Sequence, residues 1–224
     1  MLAYDLEALI EREYWDGGYH AGGEGLGWRL LASPVSVLDT SEIAFIGLNP
    51  GGSEIDPAHP RLAPTESSAY VTEAWAGAAP GQSPLQRQIC LLFAALDVRP
   101  DAVLAGNLVP FRSASWHKLQ NRSRALAFGK RLWTQILRQS GPSLVIAMGQ
   151  DTFSALTEIL EIESKTEIRS GWGSVGIRLG ENGRKKLVGL PHLSRFSIVG
   201  RSQSEDALAR SFGDWWKKPT ILNR

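Results

Sequence analysis

Three short stretches of this sequence combine polar side chains with the glycine or proline that a tight binding turn requires. The first is Gly47-Leu48-Asn49-Pro50-Gly51-Gly52-Ser53. The second begins at Asn107 and runs Asn-Leu-Val-Pro-Phe-Arg-Ser. The third is Pro191-His192-Leu193-Ser194-Arg195-Phe196-Ser197. Glycine and proline in the first stretch force a sharp turn and let a ligand approach the backbone, whose N–H groups can converge into an anion nest. The stretch lacks the Lys-Ser/Thr ending of a Walker loop, and it is not a dinucleotide fingerprint. Plain structural readings stand beside these: Asn49 can shape a turn by tolerating positive φ, Asn107 can tie two strand ends together, and a lone histidine is often part of the scaffold. Other chemistries are disfavoured. There is no Gly-x-Ser-x-Gly nucleophile elbow for an α/β hydrolase. The four histidines, His20, His59, His117 and His192, have no metal-ligand spacing, so no metal is expected. The single cysteine, Cys90, falls in a helical apolar pattern with Ile89, Leu92, Phe93 and Leu96, and reads as core. One cysteine excludes an intrachain disulfide and a cysteine-rich zinc or iron–sulfur site.

The elements that must position these stretches are legible as apolar runs. Ile43–Gly47, Ala102–Asn107, Leu144–Met148 and Lys186–Leu190 are nearly continuous in apolar character, as strands covered on both faces are. Helical patterns run over Leu85–Leu96, Arg122–Gln139 and Gln150–Leu160. A last one covers Ser204–Trp216, with Ser204 as a candidate cap and Glu205 and Asp206 in its first turn. The glycine-rich stretch 171–184 reads as a hairpin or loop. Strand–helix alternation predicts an α/β fold, a three-layer α/β/α sandwich on a central, mostly parallel four-stranded sheet. In such a sheet ligands bind at the carboxyl ends of the strands, and the three polar stretches each follow a predicted strand. The 224 residues read as one domain, 1–224, in which 1–40 is a helical or loop extension.

At these residues the chain resembles the uracil-DNA glycosylase superfamily. Gly47-Leu48-Asn49-Pro50-Gly51 is similar to its first motif, nearest to the mismatch-specific and thymine-DNA branch and to the single-strand-selective branch. Pro191–Ser197 looks like the second, histidine-containing motif, and Asn107 is similar to the asparagine that the superfamily carries at the end of a middle strand. Order and spacing agree for all three, and the likeness spans about residues 42 to 200. Leu193 departs from the proline usual after the motif-two histidine. The four cysteines of the iron–sulfur branches are absent, and 1–40 and 53–84 have no assigned counterpart.

The resemblance implies a sandwich of the uracil-DNA glycosylase kind and a monofunctional N-glycosylase that needs no metal or cofactor. Its substrate would be DNA containing uracil or a related damaged or mismatched base, and its product an abasic site. Asn49 would orient the attacking water, and His192 would donate a hydrogen bond to a carbonyl of the leaving base. Gly47, Leu48, Gly51 and Asn107 would bind the base, with the Asn107 carboxamide matching the edge of uracil or thymine. Gly51 stands where the uracil-specific branch has a bulky aromatic, so the pocket would admit 5-substituted bases. Ser53, Ser194, Arg195 and Ser197 would contact DNA phosphates or the unpaired partner base, and Phe196 would be the apolar wedge. Tyr70 and Trp75 are the candidates for stacking on the flipped base. The alternative is a catalytically inactive DNA- or nucleotide-binding protein on the same fold.

Charge is consistent with either reading. Residues 1–101 hold 14 acids against 5 bases, and residues 102–224 hold 9 acids against 19 bases. Between Asp101 and Asp151 there is no acid, while Arg112, Lys118, Arg122, Arg124, Lys130, Arg131 and Arg138 fall there. A second acid-free stretch, Asn182 to Ser204, holds Arg184, Lys185, Lys186, Arg195 and Arg201. Such a field suits a polyanion on one face, unless these charges pair with the acidic half. Residues 1–15 lack the basic start and apolar middle of a signal peptide, and no apolar run is long enough to span a bilayer. The expectation is a cytoplasmic monomer that does not engage a membrane.

Overall fold

The computed structural model describes residues 3–21, 25–55, 59–183 and 185–217. In chain order the elements are α1 (Ala3–Asp16), α2 (Val37–Thr40), β1 (Ile43–Gly47), α3 (Ala69–Thr72), α4 (Pro84–Ala95), β2 (Leu104–Asn107) and α5 (Arg122–Ser140). They continue with β3 (Leu144–Met148), α6 (Gln150–Ile159), β4 (Lys165–Trp172), β5 (Val175–Asn182), β6 (Lys185–Leu190) and α7 (Ser202–Phe212). The fold is α/β. The four strands expected from apolar runs are adjacent and mutually parallel in the order β2-β1-β3-β6.

The sheet has six strands rather than four. β5 and β4 extend it antiparallel beyond β6. The hairpin expected over 171–184 begins at Lys165. Its first strand escaped notice because only one face is covered: Lys165, Glu167 and Arg169 are exposed, whereas Ser170 is buried and Ile168 and Trp172 pack on the core. A half-covered antiparallel ribbon alternates polar and apolar residues and leaves no apolar run to read. The last helix also differs. It starts at Ser202 and stops at Phe212, where Gly213 takes positive φ; Ser204 is buried in its first turn and does not cap it.

Helices cover both faces of the parallel strands. Phe128, Leu132 and Ile136 of α5 and Phe153 and Leu156 of α6 pack with Ala44, Ile46, Val145 and Ala147. Ile89 and Phe93 of α4 and Ala207 and Leu208 of α7 pack with Phe45, Ile146 and Val188 on the other face. The N-terminal extension also has a place. Leu26–Ala32 runs antiparallel beside β2, with Asn107 N donating to Leu30 O at 2.9 Å and Ala32 N to Ala105 O at 2.8 Å. This contact dictates Gly106, because a Cβ there would lie 2.5 Å from Leu30 O. Among the described residues, no helix is long and apolar enough to cross a membrane.

Candidate functional site

Because β2, β1, β3 and β6 are parallel, their carboxyl ends share one edge of the sheet. Gly47 is in register with Asn107. Past the strands, the two loops stay zipped together: Leu108 N donates to Gly47 O and Val109 N to Leu48 O, both at 2.8 Å, and Ser113 N donates to Pro50 O at 3.3 Å. Asn49 lies two residues beyond β1, and His192 two residues beyond β6. With only β3 between them, the strands that lead into these two positions are two strand spacings apart, roughly 10 Å. The three polar stretches of the sequence therefore meet at one edge.

The pleat decides which side chains face each other there. Residues two apart on a strand share a face. Asn107, Gly47, Met148 and Leu190 thus continue the rows of Ala105, Phe45, Ile146 and Val188. Asn107 Oδ1 and Met148 Cε each lie 3.4 Å from where a Gly47 Cβ would be, so glycine leaves a notch between an amide and a thioether. The Asn107 carboxamide makes no hydrogen bond to the described residues; only its backbone is engaged, N donating to Leu30 O at 2.9 Å and O accepting from Trp133 Nε1 at 2.8 Å. Asn107 therefore does not tie two strand ends together through its side chain. Leu48 is half-buried and packs against the α5–α6 face.

Asn49 is half-buried and held at one end. Its Nδ2 donates to Ser113 Oγ at 2.9 Å and to Pro50 O at 3.3 Å, with Phe111 O at 3.5 Å. Its Oδ1 accepts nothing from the described residues. Its loop is pinned from below by Arg112, whose Nε donates to Gly51 O at 3.3 Å and Nη1 to Leu26 O at 2.9 Å. Gly52, at φ +128°, lets that guanidinium pass directly beneath the turn; a Cβ there would be 2.4 Å from Nη2. Gly51 is exposed, and a Cβ added to it meets nothing within 4 Å. Ser53 is exposed.

His192 is reachable by solvent, and its Nδ1 lies 2.8 Å from Ser194 Oγ. When the serine hydroxyl donates to Nδ1, the proton sits on Nε2, which has no partner among the described residues and is free to donate. Partial desolvation within the loop and, second, the nearby Arg195 charge lower the pKa of His192 below its ordinary value of 6.5. Each disfavours the cationic form. An NMR titration of the ring should give a midpoint below 6.5, and Arg195→Ala should move it upward. A midpoint above that value would show that the ring is cationic at weakly acid pH.

The loop after β6 is itself held by a residue that sequence reasoning missed. Buried Gln88 of α4 donates from Nε2 to Val199 O and accepts from Val199 N through Oε1, both at 3.0 Å. A glutamine in an amphipathic helix gave no signal of this. Within the loop, Arg195 N and Phe196 N both donate to His192 O, at 2.9 and 3.1 Å, forming a tight turn. Ser194, Arg195 and Ser197 are exposed. Phe196 is half-buried, with its ring edge-on to Trp172 at 6.3 Å. Trp172 is at the tip of the β4–β5 hairpin, which the β5–β6 register brings alongside His192. Of the two stacking candidates, Tyr70 is buried in the core among Phe45, Phe93 and Trp75, because its ring closes the gap between β1 and α4. Trp75 is half-buried, and its Nε1 donates to Glu73.

The basic stretches are partly consumed. Arg124 pairs with Glu13, Lys130 with Glu158 and, more distantly, Lys186 with Glu181. Arg184 lies outside the described residues. Arg195 remains exposed beside the site, and Arg201 stacks over Trp172 at 4.4 Å. Two cavities lie elsewhere on the molecule. One of about 440 Å³ is flanked by Ser154, Thr157, Lys165 and Arg178, and one of about 620 Å³ by Val35, Arg61 and Leu62. Neither lining contains a histidine or asparagine, whereas the strand-end edge gathers both. No family model matches this chain, and no curated protein matches it.

Proposed function

We propose that this protein is a DNA glycosylase of the uracil-DNA glycosylase superfamily that hydrolyses the N-glycosidic bond of uracil or a related damaged or mismatched base. One observation carries this reading. Asn49 Oδ1, the Asn107 carboxamide and His192 Nε2 all have hydrogen-bonding capacity unused by the described residues, and all belong to the same sheet edge as the side-chain-free Gly47. Departure of the base breaks the C1′–N bond with the electron pair leaving on the base. Negative charge then grows on the base and positive charge on the sugar. His192 donates from Nε2 to a base carbonyl and stabilises the anion. Asn107 presents both a donor and an acceptor to the base edge. A water held by Asn49 Oδ1 adds to C1′ and gives its proton to the departing base or to solvent. An amide orients water but does not deprotonate it, so water is captured late and turnover is slow. No lysine occurs in the three motifs, which leaves no amine to form an imine with the sugar. Ser53, Ser194, Arg195 and Ser197 engage the DNA backbone, and Phe196 fills the gap left by the flipped base.

The test is an oligonucleotide panel carrying uracil, thymine mismatches, hypoxanthine or etheno-bases, followed by hot alkali. Alkali-dependent breaks at one of these bases are expected. Tight binding without breaks on any of them would favour the inactive DNA-binding protein. The open space at Gly51 gives a specificity prediction. Gly51→Tyr leaves the fold intact, because its Cβ enters empty space, and lowers excision of 5-substituted bases at least tenfold relative to uracil. An unchanged ratio would remove Gly51 from the pocket.

A further inference from the structure

We infer that Ser113 is a positioning residue that commits position 49 to a carboxamide with its oxygen turned outward. This inference rests on the reading of Asn49 as the residue that holds the water. Three groups surround Asn49 Nδ2: Ser113 Oγ at 2.9 Å, Pro50 O at 3.3 Å and Phe111 O at 3.5 Å. Two are carbonyls, which only accept hydrogen bonds. The hydroxyl of Ser113 donates to Ser115 O at 3.0 Å, so its free lone pair also accepts. A relay results: Asn49 Nδ2–H to Ser113 Oγ–H to Ser115 O. Every group behind position 49 thus calls for a donor. The amide nitrogen must face inward, and Oδ1 must face away from these acceptors, where a water can donate to it. Ser113 is buried and makes the shortest of the three contacts, so it fixes the rotation of the amide plane.

The arrangement also dictates what an acid would do here. A carboxylate at position 49 would set an anionic oxygen against two carbonyls. Only the Ser113 hydroxyl could turn to donate to it, and doing so would release Ser115 O. Like-signed partial charges of this kind favour the protonated acid. The ionised form needed for base catalysis is therefore disfavoured near neutral pH, and the loop after β2 explains why an amide serves at this position.

Two measurements test this. The first needs no substrate. In the ¹⁵N–¹H spectrum the Asn49 side-chain amide should give two well-dispersed, slowly exchanging protons, and Ser113→Ala should collapse their dispersion and speed exchange while backbone resonances outside the two loops stay in place. The second is kinetic, on the base that the wild type excises. Ser113→Ala should lower the single-turnover rate about tenfold with little change in DNA affinity. Ser113→Thr, which keeps the hydroxyl, should restore most of that loss. Asn49→Asp should be slower than wild type at neutral pH and gain rate as pH rises. The inference is overturned if the amide protons are unaffected by Ser113→Ala, or if Asn49→Asp matches or exceeds wild type with a flat profile between weakly acid and weakly alkaline pH. Absence of excision on every base would sink the glycosylase reading, while the amide spectrum would still decide the role of Ser113.

Discussion

Excision by a His192→Ala variant is expected to fall by roughly 100- to 1,000-fold, the effect of removing one preorganised donor to a developing anion. The reason is positional. When the Ser194 hydroxyl, 2.8 Å away, donates to Nδ1 of His192, Nε2 carries the proton and is the donating nitrogen, while the tight turn back onto His192 O shapes the loop. The ring stays neutral through neutral pH because desolvation and Arg195 oppose its protonation. A neutral donor stabilises a base anion without setting a full positive charge beside the cationic sugar. Binding of undamaged DNA should be unaffected, since the exposed Arg195 and the serines remain. Single-turnover rates with matched thermal melts check this. A loss smaller than tenfold at unchanged stability would mean that His192 does not face the leaving base.

Glu73→Ala is expected to have the largest effect on stability, about 3 kcal/mol, because it strands a buried guanidinium. Arg29 has a side chain only 4% exposed, and its Nη1 lies 2.8 Å from the Glu73 carboxylate. Its Nε donates to Leu31 O at 2.9 Å, and its Nη2 is buried with no partner among the described residues. Removing Glu73 therefore leaves the charge with one carbonyl for company. Glu73 is itself 23% exposed, which keeps the estimate at the low end of the range for buried pairs. For a chain of this size the melting temperature should drop by about 10 °C. Arg29→Met with Glu73→Ala should recover part of the loss, because no unpaired charge remains. A Glu73→Ala variant that melts with wild type would mean that water reaches Arg29.

This ion pair also joins the two regions that the sequence left unassigned. Arg29 belongs to the extension 1–40. Glu73 belongs to the stretch 53–84, where Gln86 Nε2 also donates to Glu73 O at 2.7 Å. Neither region announced itself, because Leu26–Ala32 runs beside β2 as two isolated bridges rather than as a periodic strand. What was legible were features carried by a few neighbouring residues. β1 and β3 are short apolar runs sealed on both faces, and their bounds are the ones the sequence predicts. Asn49, Asn107 and His192 stood out as polar side chains close to glycine or proline at the ends of such runs. Hidden features were those decided by partners far along the chain. Gln88 reaches Val199, 111 residues away, and Ser113 reaches Asn49, 64 residues away. Nothing in the local pattern distinguishes either from an ordinary polar residue. Tyr70 was one of two stacking candidates between which the sequence could not choose, and it is buried against Phe45 and Phe93, which are distant in sequence.

A glycosylase of the proposed kind needs Asn49, Asn107 and His192 to converge on a single base, and the location of a bound base tests this most directly. A crystal structure with an oligonucleotide carrying a non-hydrolysable deoxyuridine analogue should hold the flipped base over Gly47. The Asn107 carboxamide should be within hydrogen-bond distance of the ring edge, His192 Nε2 about 3 Å from a base carbonyl, and Asn49 Oδ1 on the far side of C1′. A base bound instead in the groove between α6 and β4, or a flipped nucleotide that leaves His192 without contact, would contradict it.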